Sequence, residues 1–388
     1  MKYDYLIVGA GAFGATFART ATDLGKRCLL VDRREHIAGN TYSKKIEGID
    51  VHMYGAHIFH TDNEKIWEFV NRFGQWHAFQ NNPRVRVGNK IYSFPINLMT
   101  FHQLWGVTTP AEAREKIQEV RIPNDNPKNA EEWLLAQVGE EIYETFFRGY
   151  TKKQWFKEPR ELPASIVTRL PVRLTYNDSY FATKYQAIPR DGYTDVFEKM
   201  LEGIDVDLGV DFYAMRDSWK SKAKHLVFTG PIDQYHEYQF GKLEYRSLRF
   251  DFEIHDGDYQ GHAVVNYPEE SVEHLRIIEH KHFTDFGPKH IKAERPTKTV
   301  ITKDVPLAPE HHQVIDDPQY PIRDERNSSL YDQYAAAAKN DPSVMFGGRL
   351  GEYRYYDIDQ AMGSAMMKAR RHILKGKQPA KRSDSRAA

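Results

Sequence analysis

Tyr5-Leu6-Ile7-Val8-Gly9-Ala10-Gly11-Ala12-Phe13-Gly14 is a short apolar run ending in a Gly-x-Gly-x-x-Gly turn. Behind it, Ala18, Ala21 and Leu24 recur at helical spacing up to a Gly25 stop, and Cys28 to Val31 form a second apolar run. Strand, turn, helix and strand follow in about the shortest span that a βαβ unit allows. Asp32 closes the second strand, roughly 20 residues beyond the glycines, which completes a dinucleotide-binding pattern. Gly9 makes the tight turn, Gly11 lets a pyrophosphate approach backbone N–H groups, and Gly14 lets helix and strand pack closely. The diphosphate is expected at the helix N-terminus, where orphan N–H groups and the dipole favour anions. An acid at Asp32 accepts from ribose hydroxyls and disfavours a 2′-phosphate.

What lies beyond decides between a nicotinamide and a flavin. Arg33-Arg34-Glu35-His36-Ile37-Ala38-Gly39-Asn40 carries the second strand into a further glycine turn. A second glycine segment, Gly347 to Gly351, precedes a helix near the C-terminus. The pair points to FAD, with Gly9, Gly11, Ala12, Phe13, Gly14, Asp32, Arg33, Gly39 and Asn40 expected around it. The fold class expected is α/β, a Rossmann-like FAD-binding domain with a helical insert and an antiparallel β-sheet substrate domain.

Composition narrows the field. Lys+Arg and Asp+Glu are equal at 54 each in 388 residues, so the excess positive charge that suits nucleic acid or an anionic membrane is missing. The single cysteine, Cys28, excludes an internal disulfide and a multi-cysteine metal site, and its apolar neighbours point to an inert core thiol. The chain opens directly into a strand, and no run approaches the ~18 apolar residues of a membrane span. A soluble, cytoplasmic protein is expected. Aromatic residues reach 13%, which suits a ring-rich ligand site or simply a bulky core.

Further along, Leu134, Val138, Ile142, Phe146 and Tyr150 recur every fourth residue and predict one helix from about Ala130 to Tyr150, capped by Asn129 with Glu132. Short strands are expected around Val85 to Phe94, bounded by Gly88-Asn89. Leu248, Phe250, Phe252 and Ile254 alternate with polar residues and predict a half-buried strand. Its expected antiparallel neighbours are Ala263 to Tyr267, Leu275 to His282 and Thr297 to Thr302. Trp155 to Gly192 is broken by Pro159, Pro163, Pro171 and Pro189, an irregular segment of the kind that carries function or moves.

Several further stretches share an order that is specific. They are Tyr54 to Thr61, Ser93 to Asn97, Phe146 to Trp155, Leu162 to Ser165, Arg169 to Arg173, Ile277 to Lys281, Tyr320 to Arg323 and Gly348 to Asp357. Through these the chain resembles the bacterial UDP-galactopyranose mutases, from the Tyr5 strand to about Ala369. The resemblance implies interconversion of UDP-galactopyranose and UDP-galactofuranose with no net redox change. It further implies a reduced FAD whose N5 attacks the anomeric carbon while UDP leaves.

By position, Arg169 and Arg276 would neutralise the UDP diphosphate, and Arg169 would ride on a mobile loop within the irregular segment. Tyr150 and Trp155 would flank the uridine, with Phe146, Phe147 and Thr151 nearby and one of the two phenylalanines expected in the core. Tyr180, Tyr320 and Tyr355 would bond the diphosphate, Asp357 would lie near sugar and flavin, and Asn81 and Asn266 would be polar substrate contacts. His57 and His60 would lie against the flavin with Arg349. A metal site at the two histidines is not expected, because no third ligand is apparent. An external reductant and a homodimer are also implied, with no nucleic acid or membrane partner.

The domains expected are 1–80 with 193–240 and 335–375 for FAD, 97–192 as the helical domain with the mobile loop, and 81–96 with 241–334 as the sheet. Residues 376–388, rich in Lys, Arg, Ser and Pro, are expected to be a disordered tail. Two other function classes remain open: a redox flavoenzyme of the amine-oxidase type, and a nucleotide-binding protein without catalysis. Ala38 and Ala56 stand where the family often has Gly and Pro.

Overall fold

A computed structural model describes residues 2–168, 171–284, 295–308 and 317–375. The chain divides into two compact units: Met1–Gly39, Phe197–Lys242 and Leu330–Ala388 form the first, and Asn40–Val196 with Leu243–Ser329 form the second. Arg169 and the tail 376–388 lie outside the described residues.

In the first unit five parallel strands lie in the order Asp205–Asp207, Cys28–Val31, Tyr3–Val8, Ala223–Phe228 and Val344–Phe346. The central strand is apolar on both faces because both are covered, and Leu6 and Ile7 have no exposure. Helix Ala12–Asp23 buries Phe17, Ala18 and Ala21 and packs against helix Ile358–Lys375. Gly25 ends the first helix with φ +78°, a conformation that glycine adopts without strain. Burial pushes the Cys28 thiol up to about 12, which fits an inert core position. No helix among the described residues is long and apolar enough to cross a membrane.

The second unit is built on a six-stranded sheet. Its order is Leu248–Asp256, Lys298–Pro306, Arg276–Glu279, Val264–Asn266, Arg84–Val87 and Lys90–Ser93. The sheet is antiparallel except where Val264–Asn266 runs parallel to Arg84–Val87. Leu248–Asp256 pairs with Lys298–Pro306 over nine residues. It is an edge strand, and its apolar face is less buried than the alternation suggests: Phe252 is 37% exposed and Ile254 49%.

The helix expected from Ala130 to Tyr150 is three pieces: an α-helix Ala130–Ile142, a π-helix Tyr143–Arg148 and an α-helix Gly149–Trp155. Asn129 caps the first as expected, its Oδ1 accepting from the Glu132 N–H at 2.9 Å. Gly139 breaks the ladder with φ +77° and ψ 177°, where the backbone meets the Val120 carbonyl. The wider π turn then brings the adjacent Phe146 and Phe147 both into the core with Phe101, Leu134, Val138 and Ile142. A fourfold apolar period is blind to such a break, because it scores side chains and not backbone hydrogen bonds.

Two buried histidines hold the segment that follows strand Ile49–His52. His52 Nδ1 accepts from the His57 N–H at 3.1 Å, and His280 Nδ1 accepts from the His52 N–H at 3.2 Å. Both rings are therefore neutral with the proton on Nε2, and His280 Nε2 donates to Thr302 Oγ1 at 2.7 Å. His52 also stacks on Phe283, with ring centroids 5.0 Å apart and planes 6° from parallel. Burial pushes His280 down to about 3 and His52 well below its usual value.

Two expectations follow from these features. A Gly139→Ala variant places a Cβ 2.6 Å from the Val120 oxygen in a left-handed conformation. It should lose about 1–3 kcal/mol of stability in denaturant unfolding, and an unchanged midpoint would contradict this. The histidines should make the protein acid-sensitive. In the unfolded chain they take up protons near pH ~6.5, so their contribution is complete above that value and is lost as pH falls toward 3. His280→Gln keeps one acceptor and one donor without titrating. Its melting temperature should fall less steeply between pH 7 and 4.5 than that of the unaltered protein, and identical slopes would refute the account.

Candidate functional site

The glycine loop of the first unit is shaped for close approach. A Cβ on Gly14 would lie 1.9 Å from the Gly9 carbonyl oxygen, and one on Gly39 would lie 2.8 Å from the Gly11 Cα. Only glycine fits at either place. Gly11 is the N-cap of helix Ala12–Asp23 and offers no side-chain cap, so the first-turn N–H groups have no side-chain acceptor there. Asp32 Oδ2 accepts from the Ala10 N–H at 2.7 Å and Oδ1 from the Arg34 N–H at 2.9 Å, tying the loop to the second strand. Each oxygen keeps a lone pair for a ribose hydroxyl. These residues fit the ADP half of a dinucleotide.

The second glycine segment belongs to the same place. A Cβ on Gly347 would strike the Phe13 ring at 2.1 Å, and Gly348, at φ +76°, lies against the Phe13 Cβ. Phe13 is thus committed to packing, and a cofactor contact there falls to its backbone. Arg349 donates from Nη2 to the Tyr356 carbonyl at 2.8 Å and lies over the Tyr355 ring at 5.4 Å. Asp357 follows at intermediate burial, its N–H donating to Gln360 Oε1. Ala38, fully buried at φ +70°, holds a left-handed conformation that glycine occupies more easily.

In the second unit the expected substrate residues gather around one half-buried cation. Arg276 donates from Nε to Asp304 Oδ2 at 2.5 Å, and Asp304 has no solvent exposure. Burial would lower the pKa of Arg276, but the Asp304 carboxylate and the phenol oxygens of Tyr150 and Tyr320 outweigh it and raise it. Burial raises that of Asp304, which Arg276 offsets only in part. Among the described residues Arg276 donates only through Nε, which leaves its Nη groups for a ligand. Asn266 is the direct cross-strand partner of Arg276.

Beside them lies Arg246, which the sequence analysis missed. Its guanidinium sits 5.0 Å from the Trp155 ring centroid and 4.8 Å from that of Tyr320, its cross-strand partner. A basic residue next to an alternating strand reads as a solvated charge; only the fold buries it to 7% exposure. Burial also raises the Tyr150 pKa, with the charges of Arg276 and Arg246 pulling the other way. Asp304 and Lys153 were missed for the same reason.

The remaining residues divide. Thr151 is buried, and Phe146 and Phe147 are both core, so neither phenylalanine has the exposure expected of a substrate contact. Tyr180 donates its N–H to the Asn81 carbonyl at 2.6 Å and meets Phe181 edge-on at 5.0 Å. Phe181 stacks on His60 with centroids 3.7 Å apart. The His57 ring bonds the Gly55 carbonyl at 2.8 Å, and Tyr193 donates to the His57 carbonyl. Ala56 packs against the cluster of Ile58, Ile188 and Phe283.

A family model described as UDP-galactopyranose mutase matches residues 145–355, and one described as an NAD(P)-binding Rossmann-like domain matches 7–73. The chain is 39% identical over 383 residues to the dTDP-fucopyranose mutase of Escherichia coli, covering 96% of this chain and 99% of that one. It is 39% identical over 372 residues to the probable UDP-galactopyranose mutase of Klebsiella pneumoniae, covering 94% of each. A crystal structure of reduced UDP-galactopyranose mutase aligns with a TM-score of 0.73 at 17% identity, over 97% of this chain and 95% of that one, a likeness of fold. The chain belongs to the UDP-galactopyranose mutase family.

Proposed function

We propose that this protein interconverts UDP-galactopyranose and UDP-galactofuranose, using FAD in its reduced form. The observation that carries the reading is the half-buried Arg276, whose Nη donors have no partner among the described residues, beside Tyr150, Tyr320 and the ring-sandwiched Arg246. One buried and one half-buried guanidinium beside aromatic faces suit a nucleoside diphosphate: the cations meet the phosphates and the rings offer stacking surface to the base.

The net reaction moves no electrons. The bond from the anomeric carbon to UDP breaks and later re-forms, while the ring closes from a different hydroxyl. Bound and reduced, the flavin supplies at N5 a nucleophile for the anomeric carbon. The chain's own part is to bind, orient and exclude water. Arg276, joined by Arg169, would stabilise the charge that grows on the departing diphosphate. Tyr150 and Trp155 would hold the uridine, and Asn81, Thr151, Tyr180 and Asn266 would orient the rest of the substrate. Phe146 and Phe147 would support that wall from behind. In the first unit Gly9, Gly11, Ala12, Gly14, Asp32, Arg33, Gly39 and Arg349 would hold the cofactor, with Tyr355 and Asp357 toward the substrate. His57 and His60 would line the flavin. An external reductant, a cytoplasmic setting and a homodimer complete the proposal, as do the FAD, helical and sheet domains set out from the sequence.

A second reading has its own support. The Escherichia coli relative named for dTDP-fucopyranose is as similar as the one named for UDP-galactopyranose. The two substrates differ in a base methyl, a ribose hydroxyl and a sugar hydroxyl. None of these touches the diphosphate, so the arginine cluster serves either.

Dithionite-reduced protein incubated with UDP-galactofuranose should yield UDP-galactopyranose. Intact FAD with no conversion would sink the first reading, and conversion only of the dTDP-fucose pair would install the second. Arg276→Ala and Arg169→Ala should each lower kcat/KM by about a hundredfold or more with FAD retained. Near-normal rates would remove these residues from the site.

A further inference from the structure

Arg276 and Asn266 face each other across a hairpin whose loop runs from Tyr267 to Leu275, closed by the Tyr267 N–H donating to the Leu275 carbonyl at 2.8 Å. A side chain from outside the hairpin reaches into this loop. Lys153 Nζ donates to the carbonyls of Tyr267 at 2.6 Å, Val272 at 2.9 Å and His274 at 3.0 Å. An ammonium has three N–H donors and all three are used. The residue is half-buried, and burial pushes its pKa down to about 8 against the pull of Glu269 and Glu270.

Lys153 stands on the short helix Gly149–Trp155, which also carries Tyr150, Thr151 and Trp155. The same side of that helix touches the loop one turn earlier. A Cβ on Gly149 would lie 2.4 Å from the Pro268 oxygen, so helix and loop meet backbone to backbone. Residues 149 and 153, four apart, share a helix face. Lys152 adds an exposed pair with Glu270 at 2.9 Å.

We infer that Lys153 is a positioning residue that fixes the aromatic wall of Tyr150 and Trp155 against the hairpin bearing Asn266 and Arg276, and thereby sets the affinity for the nucleoside diphosphate. The inference rests on the proposed substrate class. Its logic is geometric. The wall would engage the nucleoside while Arg276 engages the phosphates, and the substrate gains from both only if their separation is held. Apart from the exposed Lys152–Glu270 pair, the loop's contribution to the helix is carbonyl oxygens, which need a donor, and Lys153 supplies it. Lys153 itself touches neither base nor phosphate in this account, so its loss should weaken ground-state and transition-state binding alike and appear in KM, not in kcat.

The test is UDP binding by calorimetry, with steady-state kinetics of the reduced holoenzyme, for the unaltered protein, Lys153→Met and Lys153→Arg. Lys153→Met keeps the length of the side chain and removes every donor. It should weaken UDP binding and raise KM on the order of tenfold, with kcat at saturation within about threefold and the flavin spectrum unchanged. Lys153→Arg retains donors and should recover part of the affinity. A role in stability alone would lower the melting temperature and leave the affinity of the folded fraction unchanged, which would overturn the inference. If Lys153→Met does not fold, Lys153→Gln, with two donors, carries the same test: weaker UDP binding with FAD retained supports it, and unaltered binding refutes it. Failure of the unaltered protein to bind UDP would overturn the substrate reading, and this inference with it.

Discussion

Arg276 donates to a carboxylate that has no contact with solvent, and the second oxygen of that carboxylate, Asp304 Oδ1, has no hydrogen-bond partner among the described residues. Such a pair is poor value as a stabiliser, because desolvating two ions costs several kcal/mol that their attraction need not return. Its use lies in what it does to the guanidinium. Anchored through Nε alone, Arg276 holds a fixed orientation, keeps its charge and leaves its Nη groups for an anion. Gly55, at φ +88°, packs beside the pair: a Cβ there would press on Phe250 at 3.2 Å while meeting Asp304 and Arg276 at ordinary contact distance. Much of the second unit serves that cation. Its strand partners, the loop gripped by Lys153 and the segment braced by His52 all converge on it.

The bracing is done with neutral groups. A charged histidine could not accept from a backbone N–H, so the acceptor roles of His52 and His280 Nδ1 require the burial that keeps the rings unprotonated. Lys153 works in the opposite sense, as a half-buried cation whose three donors meet three carbonyls. Each device fixes backbone near the site without presenting a competing anion to a phosphate.

Legibility in the sequence followed the kind of constraint. The Rossmann unit was readable because Gly9, Gly14 and Gly39 answer to local sterics, and Asp32 sits at a distance set by one helix and two strands. The π-helix was not readable. Phe146 and Phe147 stand about 100° apart on an α-helix, where one of them was expected in the core; the π turn after Gly139 places both there. Phe252 and Ile254 alternate as a buried face does, yet their burial depends on what lies over an edge strand. Arg276 was placed by family resemblance, whereas Asp304, Arg246, Lys153 and His280 went unnoticed. Their partners lie across strands or in distant loops, and a lone charge in a strand reads as solvated until the register is known.

The central claim is that a half-buried arginine anchored through Nε, not an aromatic wall alone, recognises the substrate. Titrating the protein with UDP and, separately, with uridine tests this most directly. Charge-assisted bonds to two phosphates predict that UDP binds tighter by about a hundredfold or more. Equal affinities for UDP and uridine would mean that the diphosphate does not meet the Arg276 guanidinium, and would contradict the account.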